Sequence, residues 1–364
     1  MSSAAEPVVV CVLGMHRSGT SLLTRLLNHT GLALGEPGRL ARAAADNPRG
    51  FWEHEGLRAV NDALLHSFGG SWMFPPDLPA GWLRDPRVES VRALARDILS
   101  REFEGVQLWG FKDPRTSLLV DFWRELLPGR IAWIVAVRNP LEVSESLKRR
   151  NGFPSVLAED LWYAYTRAAL LGTRPGERSI VHYEQLLAQP VEEVLRLIRE
   201  LNLPCPRPDA AAVAAMREEA SVALRHHSHG MEEVARSEDL LSSTRELYQR
   251  LWQGQDPGSL EPTEQLGAHG VPRPFAGLRR EVARLVDEQE RMRSALTDHE
   301  QQATEARTRL TGIEERHERE VSEWREEAIQ LRHENQLLKL RAEHRFGERL
   351  RRVCRRLRSE DPQA

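Results

Sequence analysis

Val8-Val9-Val10-Cys11-Val12-Leu13-Gly14-Met15-His16-Arg17-Ser18-Gly19-Thr20-Ser21 is the stretch on which the fold turns. Its first six residues form an unbroken apolar, mostly β-branched run ended by a glycine, the pattern of a strand buried on both faces of a parallel sheet. Leu22, Leu23, Leu26 and Leu27 follow at helical spacing, so a helix over 21–28 begins where the turn closes. Strand, glycine turn and helix open an α/β nucleotide-binding domain. The glycines are four residues apart, as in a Walker A loop, but Thr20 stands where that motif has its lysine. Glycines let the backbone wrap an anion, and the amides of a helix start point at it. His16, Arg17, Ser18, Gly19, Thr20 and Ser21 are therefore candidate binding positions, with Arg17 supplying the cation from inside the loop.

Outward from this turn, short β-branched runs alternate with helical patterns. Strands are expected at 106–111, 131–137 and 179–182, and helices at 57–68, 88–103, 118–127, 141–149, 161–171, 190–201 and 238–252. The proline-punctuated run 75–86 is expected to cross the surface. The expected fold class is α/β, a P-loop-like, mostly parallel sheet flanked by helices over 1–253. A Pro- and Gly-rich linker at 254–274 follows, then a coiled-coil or long-helix region at 275–358. That last region has no proline, and its apolar positions step by three and four: Ala303, Ala306, Leu310, Ile313, His317. After a four-residue stutter the pattern resumes at Val321, Trp324, Ala328, Leu331, Asn335, Leu338 and Ala342. A lone helix of this kind is marginal, so a homo-oligomer through it is expected. Its end, 341–358, holds eight arginines against two glutamates, which suits an anionic membrane surface or a partner helix.

Composition sets limits on partners and compartment. A net charge of -3 over 364 residues gives no footprint for nucleic acid. Cys11, Cys205 and Cys354 are too widely spaced to form a metal cluster, and they suit a reducing compartment. The apolar run 8–13 is too short for a signal peptide or membrane span. A cytoplasmic protein is expected, at most peripheral at the inner face of the membrane.

Four blocks carry the functional reading. The loop 14–21 is the first. Val137-Arg138-Asn139-Pro140, with Val143, Ser144 and Ser146, places an arginine at a strand end and a serine on the next helix, where both can reach one phosphate. Trp109-Gly110-Phe111-Lys112-Asp113-Pro114-Arg115 and Val181-His182-Tyr183-Glu184-Gln185-Leu186 are the third and fourth. Asp113 reads as a capping or orienting residue, and Trp109, Phe111, Trp162 and Tyr165 as packing. Tyr183 is open between the core and a nucleotide edge.

In this order the blocks resemble those of the bacterial sulfotransferases that use 3′-phosphoadenosine 5′-phosphosulfate (PAPS), a branch related to carbohydrate and tyrosylprotein sulfotransferases. The resemblance spans residues 8–187, about half of the chain. It implies that the loop holds the 5′-phosphosulfate, that Arg138 and Ser146 hold the 3′-phosphate, and that Tyr183 lies near the nucleotide. It further implies sulfuryl transfer to a hydroxyl of a glycan, lipid or small metabolite, release of 3′,5′-adenosine bisphosphate and no required metal. Arg17 and Lys112 would share the charge on the transferred group. Asn47-Pro48-Arg49-Gly50-Phe51-Trp52-Glu53-His54-Glu55 resembles the stretch that carries the base in some carbohydrate sulfotransferases. That makes Glu53 the first candidate, with His54 and His16 as rivals. A small-molecule kinase is the alternative enzyme, although it would need a lysine at the loop and a magnesium carboxylate. A non-catalytic assembly or membrane-docking protein is the other alternative.

Overall fold

The computed structural model describes residues 6–41, 50–222, 229–237, 240–255 and 276–359. The segments 42–49 and 254–274 carried expectations that lie, wholly or in most of their length, outside those residues. The first unit, Met1–Glu290, is built on four parallel strands in the order β2-β1-β3-β4. They are β1 (Val8–Leu13), β2 (Leu108–Lys112), β3 (Arg130–Val137) and β4 (Arg178–His182). β1 pairs on one side with β2, Val8 opposite Leu108, and on the other with β3, Val8 opposite Arg130.

Helices follow or join the strands: α1 (Thr20–Asn28), α2 (Glu55–Ser67), α3 (Pro86–Phe103), α4 (Val120–Leu126), α5 (Pro140–Asn151) and α6 (Ser155–Gly172). After β4 come α7 (Tyr183–Ala188), α8 (Pro190–Glu200), α9 (Ala210–Val222), α10 (Met231–Arg236) and α11 (Ser242–Trp252). The period-two alternation of β1 divides it between two cores. Val9, Cys11 and Leu13 join Trp109, Phe111 and Trp133 on one face, while Val8, Val10 and Val12 join Leu22, Leu23 and Leu26 of α1 on the other. Both faces are covered, as the all-apolar strand demands.

Differences from expectation have local causes. The second strand starts two residues later than expected and ends one later, because Val12 pairs with Lys112, which carries the lysine into the sheet. α6 begins six residues before the expected 161, because Glu159 and Asp160 interrupt its apolar pattern. Glu159 and Asp160 are nonetheless buried, and a Glu159 carboxylate oxygen accepts from the Leu241 amide at 2.6 Å. The run 75–86 is not all surface. Pro75, Pro76 and Trp82 are buried, and Trp82 packs edge-on against Phe68 with ring centroids 5.8 Å apart.

The second unit, Arg291–Ala364, contains most of one helix, α12 (Ala276–Ser359), 84 residues long. Its described large apolar side chains are exposed, among them Leu310, Ile313, Trp324, Leu331 and Leu338.

Candidate active site at the strand ends

All four strands are parallel, so the residues that follow them arrive at one edge of the sheet. After β1 the chain turns at Gly14, whose φ of 130° is a glycine conformation. A Cβ there would sit 3.3 Å from the Ala136 carbonyl carbon and nearer still to its oxygen. The Gly14 amide donates to Ser117 Oγ at 2.9 Å, and the Ser18 amide to the Met15 carbonyl at 3.2 Å. Arg17 is held at φ 70°, a left-handed conformation that costs a non-glycine residue about 1–3 kcal/mol and collects at functional sites. Gly19, at φ 84°, is the N-cap of α1 and lies flat against the Tyr183 ring. A Cβ on it would lie 2.8 Å from Tyr183 Cε2 and closer to Cδ2. Ser18 is buried and its Oγ has no hydrogen-bond partner, one unsatisfied hydroxyl inside the loop.

The β3 end joins this loop directly. Arg17 Nε donates to Ser146 Oγ of α5 at 2.9 Å, across 129 residues of sequence. Arg138 Nη1 donates to the Arg17 carbonyl at 3.1 Å, and its guanidinium lies 4.5 Å from the centre of the Tyr183 ring. Arg138 Nε and Nη2 both reach Glu142 Oε2 at 2.8 Å, and Glu142 is fully buried. A buried carboxylate of this kind fixes the fork of the arginine before any ligand arrives. Burial pushes the Tyr183 hydroxyl above the ordinary tyrosine range, although Arg138 opposes the shift.

β2 delivers Lys112. Its ammonium meets Glu53 Oε1 at 2.7 Å, with the two side chains 1% and 8% exposed. Glu53 precedes α2, and its segment is tied to the loop because Ser21 Oγ donates to the Phe51 carbonyl at 3.0 Å. His54 turns the other way. Its Nδ1 accepts from the Leu57 amide, capping α2, and its Nε2 is 3.6 Å from Glu102 of α3. Asp113 caps the single turn Pro114–Leu118 through the Arg115 amide, at 3.1 Å, and takes Asn61 Nδ2 at 2.8 Å.

His16 is the remaining loop side chain. Its ring sits 4.5 Å from that of Trp72 and 5.9 Å from that of Tyr165, and its Nε2 is buried without a partner. Burial first, then the positive field of Arg115, Arg150, Lys112 and Arg17, hold it well below the usual histidine range, so it is neutral. Trp162 and Tyr165 are fully buried packing residues, as are Trp109 and Phe111 nearly so.

Residues 7–207, more than half of the chain, match the model of the sulfotransferase family. The chain belongs to that family. The family's general reaction is sulfuryl transfer from PAPS. Among solved structures the chain is similar to the sulfotransferase domain of the curacin biosynthetic pathway, at 17% identity over 68% of this chain and 99% of that one, TM-score 0.36. It is similar to the sulfotransferase domain of the Synechococcus PCC 7002 olefin synthase, at 17% identity over 69% and 97%, TM-score 0.38. A sulfotransferase from Mycobacterium avium is 15% identical over 62% and 70%, TM-score 0.37. No curated protein matches the chain.

For a sulfotransferase the site is well furnished with cations and hydroxyls. Arg17, Lys112, Arg138, Ser18 and Ser146 lie at one edge of the sheet, and the unpartnered Ser18 hydroxyl fits a bound phosphate ester. Among the described residues no group of three or more His, Cys, Asp or Glu side chains is placed to hold a metal ion. Likewise, no helix among them is long and apolar enough to cross a membrane. Two contributors escaped the sequence reading. Glu142 was visible only as the i,i+4 partner of Arg138, and Trp72 only as an aromatic in a glycine-rich turn.

Proposed function

We propose that this sulfotransferase moves the sulfuryl group of PAPS onto a hydroxyl of a glycan, lipid or small metabolite, with Glu53 as the base. The observation that carries the reading is the junction of Arg17, Ser146 and Arg138, which makes one continuous polar surface from two blocks far apart in sequence. The loop amides, Ser18, Thr20 and Ser21 hold the 5′-phosphate. Arg138 and Ser146 hold the 3′-phosphate, with Tyr183 along the nucleotide edge. Arg17 and Lys112 neutralise the equatorial oxygens and the departing phosphate. Glu53 receives the acceptor proton as the new O–S bond forms and the S–O bond to the phosphate breaks. Glu53 is favoured over His54 because it shares the buried pair with Lys112, whereas His54 is committed to capping α2. His16 is walled by Trp72 and Tyr165 and helps shape the loop.

The compartment proposed is the cytoplasm, where the free thiols of Cys11 and Cys205 stay reduced. The proposed partners beyond the acceptor are a second copy through α12 and an anionic membrane surface for the arginine-rich end of that helix.

Donor binding tests the reading. Replacing Arg138 or Ser146 is expected to weaken 3′,5′-adenosine bisphosphate far more than its analogue lacking the 3′-phosphate, by about 1.5 to 3 kcal/mol. Equal weakening of both nucleotides overturns the assignment. Tight ATP binding that depends on magnesium, with weak bisphosphate binding, would instead favour a kinase.

A further inference from the structure

We propose that the stretch 320–342 of α12 pairs with a second copy of this chain as a parallel, in-register, two-stranded coiled coil. This inference is independent of the sulfuryl-transfer reading.

Over this stretch one seam of apolar side chains keeps the seven-residue repeat, while Ile329, Leu337 and Leu340, also exposed, lie off it at the b, c and f positions. Trp324, Leu331 and Leu338 recur every seven residues at the d positions and are 66%, 54% and 59% exposed. Val321, Ala328, Asn335 and Ala342 recur at the a positions between them. An isolated helix has no reason to present a tryptophan and two leucines to water in one line. Leucine at d with one asparagine at a is the pattern that selects two parallel strands. The paired asparagines satisfy each other only when the copies are in register.

The flanks of the seam identify the occupant. Glu320, Glu327 and Glu334 fill the first three g positions, with Arg341 at the fourth, and Arg325, Arg332 and Lys339 fill the three e positions. Each glutamate stands five residues before its basic counterpart. Five residues turn a helix by about 140° beyond a full turn, so the two cannot meet on one helix, where partners stand three or four apart. Among the described residues none of the three glutamates and their counterparts is in an ion pair within the chain. In a parallel in-register pair each of these glutamates faces the e residue five positions later on the other helix, and every such contact is Glu with Arg or Lys. In an antiparallel pair g faces g and e faces e, so contacts among these residues join like charges. The charge pattern therefore fits a second copy of the same helix in one orientation only.

The test uses the full chain. Light scattering is expected to give twice the chain mass of 41.5 kDa. Trp324→Cys and Leu338→Cys, made separately in a Cys354→Ser background, should each form a disulfide-linked dimer on mild oxidation. Two antiparallel helices bring identical residues together only at their crossing point, so at most one variant would then cross-link. Reversing Glu320, Glu327 and Glu334 to Lys should weaken self-association by roughly tenfold or more. Mixing that variant with one carrying Glu at 325, 332 and 339 should restore pairing as a mixed dimer. A monomer, a trimer, a single cross-linking position or an unchanged triple variant overturns the proposal. Donor binding by the same preparations reports separately on the nucleotide site.

Discussion

Lys112→Met removes the ammonium from the most deeply buried ion pair at the candidate site while keeping most of the side-chain volume. Lys112 is 1% exposed and Glu53 8%, and their 2.7 Å contact is charge-assisted. With the lysine gone, Glu53 stays in a place that water barely reaches, and an uncompensated buried charge costs about 3–5 kcal/mol. For a unit of this size that is a fall in thermal midpoint of roughly 6–20 °C. Most of the cost comes from the stranded carboxylate and little from the lost attraction. The double variant Lys112→Met with Glu53→Gln should therefore recover much of the loss, giving a coupling of roughly 1–3 kcal/mol in a double-mutant cycle. Thermal and urea unfolding of the four proteins measures it. A midpoint change of about 2 °C or less for Lys112→Met, or simple additivity in the double variant, would refute the view that this pair is a closed, dry contact.

Glu53→Gln alone should lower turnover by roughly 10²–10⁴-fold with nucleotide affinity almost unchanged; near-normal turnover moves the base elsewhere, to His54 or His16. Gly19→Ala places a methyl group against the Tyr183 ring and forces alanine to φ 84°, so a loss of about 1–3 kcal/mol and weaker donor binding are expected in calorimetry. Burial holds both His16 and His182 below the usual histidine range. The unfolded chain therefore takes up their protons first as pH falls. Stability should be level above about pH 6.5 and drop below it, with a shallower drop in His16→Asn; a flat profile down to about pH 5 would contradict the buried neutral imidazoles.

The strand-turn-helix opening was legible to within one residue because nothing competes with it: Val8–Leu13 is apolar at every position and ends at a position that only glycine can fill. Arg138 and Ser146 were legible for the same reason, as polar residues at a strand end and on one helix face. What the sequence could not show is which charges lie inside. Glu142 reads as an ordinary acid in the first turn of a helix, where it would complement the dipole, yet it is fully buried under Arg138. Lys112 reads as the residue after a strand, and only its pairing opposite Val12 draws it in to meet Glu53. The Lys112–Glu53 partnership joins residues 59 apart, which no local pattern records.

The central place of β1 in the sheet also bears on how the chain is made. It leaves the ribosome before both of its neighbours, β2 at Leu108–Lys112 and β3 at Arg130–Val137. At ordinary rates of synthesis the interval is on the order of ten seconds. For that time a six-residue, uncharged, β-branched segment has no sheet to join, and such segments stack readily with copies of themselves. Pro7 and Glu6 just before it, and Arg17 just after, act as brakes on that stacking. Fragments that stop short of Val137 leave Val8–Leu13 with an open edge for good, and they should accumulate as aggregates in the cell. The full chain is best produced slowly, in the cold, with holding chaperones in supply.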